Sequence, residues 1–223
     1  MQKVAVTLPV YKNDKVPYIH LSFDSILNQT YKNIHLYVGV DGPVGEDLEK
    51  CLKEYEQNDK VTVCWFPENR GLAIVLNDLL DVCFKADYNI IARMDADDIM
   101  VVTRIEEEVL FLEKHFEVDV VGASIMTIDN HNKIIGSEFT QGNVCSFIHP
   151  TIMGRIEWFK QNLYEEWALR AEDFELWTRT SSMSTFYAIG KPLLFYREFG
   201  VPSFRKNFLS QRTMLKIFSR YHQ

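Results

Sequence analysis

The chain has 223 residues, of which 47% are hydrophobic and 25% charged, and its formal net charge is −7. This length and composition are typical of a globular protein with a full hydrophobic core, and they exclude a disordered chain. A surface that tracks nucleic-acid phosphates needs an excess of Lys and Arg. We therefore predict no nucleic-acid partner for this acidic chain.

Neither the cysteines nor the apolar segments indicate a secreted or membrane-spanning protein. The four cysteines form no Cys-x-x-Cys pair and have no His at zinc spacing, which predicts reduced, mostly buried thiols. No apolar segment reaches the length of a membrane span, and Met1 is followed directly by a strand pattern. These features predict a cytoplasmic protein. The cysteines are Cys51, Cys64, Cys83 and Cys145.

Strand and helix patterns alternate through the first hundred residues. Because each crossover is long enough for a β-α-β unit, the alternation predicts a doubly wound, mostly parallel, Rossmann-like α/β sheet. Apolar runs rich in β-branched residues predict strands over 4–10, 34–40, 61–65 and 88–92. Apolar residues at helical spacing predict helices over 17–29, 46–58 and 72–83.

The second hundred residues are more irregular. They predict a small antiparallel element, and we expect them to pack with the first half as a single domain over residues 1–200, followed by a tail over 201–223. The predicted elements are a helix over 103–116, a strand over 118–123, a hairpin over 125–138, helices over 157–162 and from Glu172, and late strands over 186–189 and 193–196.

Polar residues follow each of the four predicted parallel strands. In doubly wound sheets, ligands bind outside the carboxyl ends of the strands, so we expect these residues to meet at one edge. They are Tyr11 and Asn13 after the first strand, Asp41 after the second, Asn69 and Arg70 after the third, and Asp95, Asp97 and Asp98 after the fourth.

The densest negative charge lies in Asp95-Ala96-Asp97-Asp98. Side chains alternate along an extended chain, so Asp95 and Asp97 are predicted to point the same way, while Asp98 begins the turn. Carboxylates this close repel one another unless a cation or hydrogen bonds offset the repulsion. Their hard oxygen atoms predict Mg²⁺ or Mn²⁺. A solvated turn and helix cap is the alternative, and the position after a buried strand favours the metal site.

Seven short motifs occur in the order found in family 2 glycosyltransferases of the A-type fold. The chain resembles the members that build bacterial surface polysaccharides, over roughly residues 3–198. Each motif is weak by itself, whereas seven in the same order are specific. They are Pro9-Val10-Tyr11, Ser25-Ile26-Leu27-Asn28-Gln29-Thr30-Tyr31, Val40-Asp41-Gly42, Asn69-Arg70-Gly71-Leu72-Ala73, Arg93-Met94-Asp95-Ala96-Asp97-Asp98, His149-Pro150-Thr151 and Glu172-Asp173-Phe174-Glu175-Leu176-Trp177.

The resemblance implies an inverting transfer of a sugar from a nucleotide diphosphate sugar, usually a UDP-sugar, to a hydroxyl of a saccharide or lipid-linked acceptor. Residues 1–100 would bind the nucleotide sugar and residues 101–200 the acceptor. Asp97 would be the metal ligand and Asp173 the catalytic base, while His149 and Glu172 are weaker candidates for contacts to the acceptor or diphosphate. The implied nucleotide-sugar-binding residues are Val10, Tyr11, Asp41, Asn69, Arg70, Asp95 and Ala96.

Several of these residues also have plain structural alternatives. Asp41 is equally suited to form a turn beside Gly42, and a lone His such as His149 is commonly a hydrogen-bonded structural residue. Glu172 and Asp173 are acidic residues at a predicted helix start, where the helix dipole favours them.

The chain departs from the family pattern at two places: it lacks the family's proline after the metal motif, and it differs in the motif near the end of the domain. Family members commonly carry Tyr-Arg-x-His near the end of the domain, with the His available to the metal, whereas this chain has Tyr196-Arg197-Glu198-Phe199. Phe199 cannot ligate a metal, which leaves the third protein ligand open, with His149 as one substitute. The departure also supports an alternative function, a non-catalytic sugar-nucleotide or glycan-binding module of the same fold. A nucleotidyltransferase is disfavoured because Tyr11-Lys12-Asn13-Asp14 is not a Gly-rich, basic loop.

The tail predicts a basic amphipathic helix. Such a helix can lie on an anionic membrane, which would place the protein peripherally at the inner face of a membrane that carries a lipid-linked acceptor. It is equally suited to pack on the parent domain or on a second copy in a homodimer. The apolar stripe is Met214, Ile217, Phe218 and Tyr221, and the basic residues beside it are Arg212, Lys216 and Arg220.

Overall fold

A computed structural model of the chain describes residues 1–200 and 204–221, with the side chains of the last helix described from residue 207. The tail residues 201–203 and 222–223 lie outside the described residues. The strands are β1 (Val4–Val10), β2 (Ile34–Asp41), β3 (Val61–Phe66), β4 (Ile90–Arg93), β5 (Ile99–Met100), β6 (Val120–Ile128), β7 (Ile134–Glu138), β8 (Gly142–Asn143), β9 (Met153–Arg155) and β10 (Phe186–Arg197). The α-helices are α1 (Val16–Leu27), α2 (Glu46–Tyr55), α3 (Leu72–Phe84), α4 (Arg104–Lys114), α5 (Ile156–Gln161), α6 (Glu172–Thr180) and α7 (Phe204–Tyr221).

One sheet runs through both halves of the chain, with the strand order β3-β2-β1-β4-β9-β6-β10-β5. The strands β3, β2, β1 and β4 are mutually parallel. Helices α1, α2 and α4 cover one face of the sheet with a hydrophobic core, and α3, α5 and α6 cover the other face. The predicted doubly wound α/β fold is therefore confirmed.

The antiparallel element of the second half is also confirmed, and it is more extensive than predicted. Strand β9 runs antiparallel between β4 and β6, and β5 pairs antiparallel with β10. Strands β6 and β7 form a hairpin. Because β9 joins the parallel half to the β6–β10 pair, residues from both halves reach the same edge of the sheet.

Two predictions of strand boundaries are wrong. The predicted strand 118–123 and the first arm of the hairpin form one continuous strand, β6. The late strands 186–189 and 193–196 also form one strand, β10, in which the pairing with β6 shifts between Ile189 and Leu194. Pro192 lies in this irregular stretch and has no N–H to donate to the ladder, which accounts for the interrupted sequence pattern. The short strands β5, β8 and β9 were not predicted because two or three residues carry no periodicity.

The cysteines are free thiols within the part of the chain that the structure describes. Cys51 and Cys83 are buried as predicted, and Cys64 is half-buried. The expectation of burial is wrong for Cys145, which is exposed. No helix among the described residues has the length and apolar character needed to cross a membrane.

A buried ion pair supports the strand that leads into the predicted site. Arg104 and Glu108 are fully buried on α4, and Nε of Arg104 lies 3.2 Å from both carboxylate oxygens of Glu108. Nη2 of Arg104 also donates to the carbonyls of Arg93 (3.2 Å) and Ile152 (3.3 Å). Burial raises the pKa of Glu108 to about 7, although the charge of Arg104 opposes the rise. This guanidinium therefore holds the end of β4 against α4.

We predict that Arg104→Met lowers the free energy of unfolding by about 3–5 kcal/mol, because it leaves the Glu108 carboxyl buried without its partner. The double variant Arg104→Met/Glu108→Leu should recover a substantial part of that loss, since no buried charge then remains. Urea unfolding of the three proteins measures both changes. Equal losses in the single and double variants would contradict this account of the pair.

Candidate active site

Three aspartates converge where the chain leaves β4. Asp95, Asp97 and Asp98 each offer a carboxylate oxygen, and these three atoms lie within 4.8 Å of one another. The sequence predicted the pair Asp95 and Asp97, with Asp98 at the start of a turn. The chain turns at Ala96 and Asp97 before β5 begins at Ile99, and this turn brings Asp98 into the same group. We call these three residues the aspartate cluster.

The chemistry of the aspartate cluster fits a divalent cation. Asp98 is 1% exposed, and its Oδ2 is buried with no hydrogen-bond partner among the described residues. An unpaired buried carboxylate oxygen is costly, and a hard cation would satisfy it. Burial, followed by the charge of Asp95, raises the pKa of Asp97 to about 6, and the same causes raise the pKa of Asp98 well above its usual range. A bound cation would relieve both effects.

Arg93 is a buried cation beside the aspartate cluster. Its side chain is almost fully buried, and its Nη2 lies 2.6 Å from Oδ1 of Asp95. In the described part of the chain, its Nε and Nη1 have no hydrogen-bond partner. The charge of Arg93 lowers the pKa values of Asp97 and Asp98 and so opposes part of their mutual repulsion. The sequence motif that contains Arg93 did not indicate this role, although a basic residue at the end of a buried strand is unusual.

Asp14 is a second residue that sequence reasoning missed. Its Oδ2 accepts a hydrogen bond of 2.8 Å from the backbone N–H of Tyr11, which closes the loop after β1. Burial raises the pKa of Asp14 to about 7, and the charges of Asp97 and Asp95 add to the rise while the Tyr11 N–H opposes it. The loop after β1 therefore lies within the electrostatic field of the aspartate cluster. The available signal was an Asp three residues after a polar strand end.

Asp41 organises the loop between β3 and α3. Its carboxylate accepts hydrogen bonds from the Asn69 side chain (2.9 Å) and from the backbone N–H groups of Arg70 (2.7 Å) and Gly71 (3.0 Å). Gly42 follows with φ +83°, and a Cβ there would lie 2.5 Å from the Asn69 nitrogen. This is the turn-forming role that the sequence left open for Asp41. A carboxylate has about four acceptor positions, so one remains for a ligand.

The other residues implied in nucleotide binding differ in which of their atoms are available to contact a ligand. The guanidinium of Arg70 pairs with the Asp78 carboxylate and lies 5.1 Å from the centre of the Phe66 ring, so it is already engaged. Val10 and Ala96 have buried side chains, so only their backbone atoms could contact a nucleotide. The Tyr11 ring is exposed at the same edge.

Helix α6 places two carboxyl groups at its first turn. Oδ1 of Asp173 accepts a hydrogen bond of 2.8 Å from the Phe174 N–H. Burial raises the pKa of Asp173, whereas the Phe174 N–H and the charge of Arg93 oppose the rise. Glu172 is buried and its pKa is raised for the same main reason. Because the charges of Arg93 and Asp95 act on Asp173, the start of α6 and the aspartate cluster share one electrostatic environment.

His149 occupies a structural position beside this site. Its Nε2 lies 2.7 Å from the Tyr164 hydroxyl, and its ring packs edge-on against buried Trp177. Burial, followed by the charge of Arg93, lowers the pKa of His149 well below its usual range, so the ring is neutral. Among the described residues, the group of side chains that could hold a metal ion includes Asp98 but not His149. The Phe199 ring packs against Tyr18 in a tilted arrangement, with 5.7 Å between ring centres and 47° between the ring planes.

Comparison with known proteins identifies the class. Residues 5–184 match the model of the family described as Glycosyl transferase family 2. An uncharacterised glycosyltransferase of Methanocaldococcus jannaschii is 29% identical over 98% of this chain and 77% of its own length. The O-antigen biosynthesis glycosyltransferase WbnJ of Escherichia coli is 30% identical over 80% of this chain and 72% of its own length.

The solved structures agree in fold. S. aureus TarS 1–349 in complex with UDP-GlcNAc has a TM-score of 0.73 at 15% identity, and the alignment covers 97% of this chain and 73% of that one. A longer TarS chain is covered over 44% of its length. The chain therefore belongs to glycosyltransferase family 2. The resemblance seen in the sequence is confirmed.

We predict that Asp14 makes stability depend on pH. Its pKa rises from 3.8 to about 7 on folding, so between these values the folded state retains a proton that the unfolded state has lost. The free energy of unfolding therefore falls as pH increases through this window. Asp14→Asn cannot ionise and can still accept from Tyr11, so its Tm should exceed that of the wild type by a few degrees at pH 8 and by less at pH 4.

Thermal unfolding at several pH values checks this expectation. The same substitution at exposed Asp87 is the control and should shift Tm by a similar small amount at every pH. A Tm difference for Asp14→Asn that does not grow between pH 4 and pH 8 would refute the role assigned to Asp14.

Proposed function

We propose that the protein is an inverting, metal-dependent glycosyltransferase that moves a hexosyl or N-acetylhexosaminyl group from a nucleotide diphosphate sugar to an acceptor hydroxyl. The observation that carries this proposal is the convergence of three carboxylates, one with a buried unpaired oxygen, in the same electrostatic environment as Asp173. The UDP-GlcNAc complex of TarS supports a UDP-sugar as donor. The similarity to WbnJ, a glycosyltransferase of O-antigen biosynthesis, supports a saccharide or lipid-linked acceptor in surface polysaccharide synthesis.

Residues 1–100 would bind the donor, the nucleotide diphosphate sugar. The Asn69–Gly71 loop, held by Asp41, and the exposed Tyr11 ring would face the nucleotide, together with the backbone of Val10 and Ala96. Arg70 would reach the diphosphate by exchanging its Asp78 partner. The aspartate cluster, with Asp97 as a direct ligand, would hold Mn²⁺ or Mg²⁺, which as a Lewis acid offsets the charge that develops on the leaving diphosphate.

Residues 101–200 would bind the acceptor, and Asp173 would activate its hydroxyl as the general base. The acceptor oxygen attacks the anomeric carbon, the bond from that carbon to the diphosphate oxygen breaks, and the hydroxyl proton passes to the Asp173 carboxylate. One displacement of this kind inverts the anomeric configuration and passes through an oxocarbenium-like transition state. Asp173 must be ionised to accept the proton, and Arg93 and the Phe174 N–H favour that form against the effect of burial.

Glu172 and His149 have supporting roles in this proposal. Glu172 is buried next to Asp173, where it would contact the acceptor. His149 would have an indirect, structural role, because its ring nitrogen is hydrogen-bonded to the Tyr164 hydroxyl.

A binding module without catalysis is the second candidate, favoured by Phe199 in place of the family His. It predicts nucleotide-sugar or glycan binding without turnover. Release of nucleotide diphosphate in the presence of donor and acceptor separates it from an enzyme.

Helix α7 adds a surface to the domain. One stripe of α7 packs on the protein: Ile217 is buried, the Thr213 hydroxyl donates to the Leu169 carbonyl (2.9 Å), and the Tyr221 hydroxyl donates to the Glu175 carboxylate (2.6 Å). The packing on the parent domain that the sequence left open is therefore present. On the opposite side, Leu215 is 71% exposed between the exposed basic residues Arg212 and Lys216.

We infer that this exposed face contacts an anionic membrane. Its positive charge complements acidic lipid head groups, and Leu215 would enter the boundary between head groups and acyl chains. The contact would hold the protein at the cytoplasmic face, where a lipid-linked acceptor is accessible. A homodimer formed through the same face is the competing outcome.

We predict that UDP binds in the presence of Mn²⁺ and much more weakly with EDTA. Asp97→Asn should abolish the part of the UDP affinity that depends on metal, because it removes the negative charge of the side chain that would ligate the cation and hardly changes its size. Isothermal titration calorimetry with UDP, GDP and dTDP measures the affinities and ranks the nucleotides.

Asp173→Asn is the matched control for that experiment. It should bind UDP with wild-type affinity but reduce turnover by at least a hundredfold, since a general base contributes roughly 10²–10⁴ to the rate. The wild-type rate should fall on the acid side at a pH above the usual pKa of Asp, because burial raises the pKa of Asp173. If UDP, GDP and dTDP all failed to bind the wild type, with or without metal, the nucleotide-sugar proposal would be rejected.

We predict that the protein sediments with vesicles that contain phosphatidylglycerol but not with pure phosphatidylcholine vesicles. Leu215→Glu should weaken this binding about tenfold, because it replaces an inserted apolar group with a negative charge. The control is Leu110→Glu, which changes an exposed leucine on a different helix, α4. This variant should bind the vesicles as the wild type does. Binding unchanged in Leu215→Glu would reject the membrane face. A dimer in light scattering that Leu215→Glu dissociates would assign the face to a second copy.

A further inference from the structure

The Arg197 side chain, at the end of β10, connects segments that are distant in sequence. The residue is 3% exposed, and its Nε donates to the Asp97 carbonyl at 2.8 Å. Its Nη1 donates to the Asp129 carbonyl and its Nη2 to the Asn132 side-chain oxygen, each at 2.7 Å. One guanidinium therefore joins the turn of the aspartate cluster to residues 129–132, which connect β6 to β7. We call residues 129–132 the hairpin turn.

The backbone and the flat face of the same residue add two further links. The Arg197 N–H donates to Oδ1 of Asp98 at 2.8 Å. The guanidinium also lies 4.2 Å from the centre of the Tyr18 ring, and the Tyr18 hydroxyl donates to the Asn130 carbonyl at 3.2 Å. Arg197 thus touches both Asp97 and Asp98, and Tyr18 holds the hairpin turn from a second side.

The hairpin turn is a firm anchor for these bonds. Oδ1 of Asp129 accepts from the backbone N–H groups of His131 (2.8 Å) and Lys133 (2.9 Å). The Asp129 N–H donates to the Lys133 carbonyl (3.0 Å) and the Asn132 N–H to the Asp129 carbonyl (3.1 Å). Because the turn is closed by its own hydrogen bonds, it fixes the orientation of the guanidinium that spans it.

The aspartate cluster needs such an anchor. Three carboxylates within 4.8 Å repel one another, and the repulsion favours a turn in which Asp97 and Asp98 move apart. Arg197 opposes that movement with two hydrogen bonds to the turn and with a positive charge at short range. Groups that orient metal ligands without touching the metal commonly change metal affinity by 10–100-fold when they are removed.

We propose that Arg197 is a positioning residue that holds Asp97 and Asp98 in the geometry for binding a cation and couples the hairpin turn to the site. The residue is only 3% exposed and each guanidinium nitrogen already donates one hydrogen bond to the protein, which suits a positioning role better than direct contact with the diphosphate. The effect on metal binding rests on the proposed function, whereas the coupling between the hairpin turn and the aspartate cluster does not.

The test compares Arg197→Lys with Arg155→Lys. Lysine keeps the charge at Arg197, but its single nitrogen cannot reach all three acceptors. Arg155 is a matched control: its guanidinium also donates to three backbone carbonyls, those of Val118 (3.0 Å), Leu112 (2.8 Å) and His115 (3.1 Å). It pairs with Ile90 at the opposite end of β4 from the aspartate cluster.

The Mn²⁺ concentration for half-maximal UDP binding should rise about tenfold or more in Arg197→Lys and stay at the wild-type value in Arg155→Lys. Thermal unfolding shows whether the two variants lose similar stability, so that a general loss of stability cannot produce the difference. An unchanged Mn²⁺ requirement in Arg197→Lys, with metal-dependent UDP binding in the wild type, would overturn the proposal and leave the proposed function standing.

Hydrogen exchange without metal or nucleotide tests the coupling separately. Amides of residues 97–98 should exchange at least tenfold faster in Arg197→Lys than in the wild type or in Arg155→Lys. Amides of the hairpin turn should also exchange faster, but by a smaller factor, because the turn keeps its own hydrogen bonds. Unaltered exchange at these amides would overturn the role of Arg197 even if the wild type bound no nucleotide. If exchange were faster in Arg197→Lys but UDP binding to the wild type did not depend on Mn²⁺, the coupling would be supported and the metal-dependent function rejected.

Discussion

The repulsion among three carboxylates at the end of β4 is the constraint on which the rest of the site depends. Asp95, Asp97 and Asp98 lie close together in a partly desolvated position, where like charges are costly. Two guanidinium groups compensate for this charge: Arg93 pairs with Asp95, and Arg197 donates to the Asp97 carbonyl. The three carboxylates therefore stay close together beside two buried guanidinium groups.

The fold brings these compensating groups together through the order of its strands. Strand β4 lies between parallel β1 and antiparallel β9, and β9 connects it to β6 and β10. The loop after β1 brings Asp14, and the end of β10 brings Arg197, to the same edge as the aspartate cluster. A sheet that joins the two halves thus brings residues from both to one site at the ends of its strands.

Phe199 stands where the family resemblance predicts a His, and the aspartate cluster offers carboxylates only. Asp98 supplies a third carboxylate, with one oxygen bonded to the Arg197 N–H and the other unpaired among the described residues. His149 is committed to Tyr164 and is neutral, so it contributes to packing. The ligand set here is all oxygen, which suits the hard cations Mg²⁺ and Mn²⁺.

The sequence by itself determined the alternation of strands and helices, the polar residues at the strand ends and the family, because these features depend on local periodicity and short motifs. Only the tertiary structure decided that Asp98 joins Asp95 and Asp97, and that Asp14 and Arg197 act on the same cluster. It also decided that β10 is one strand. The physical reason is that charge repulsion, burial and hydrogen bonding act through space, between residues that the sheet brings together and the sequence keeps far apart.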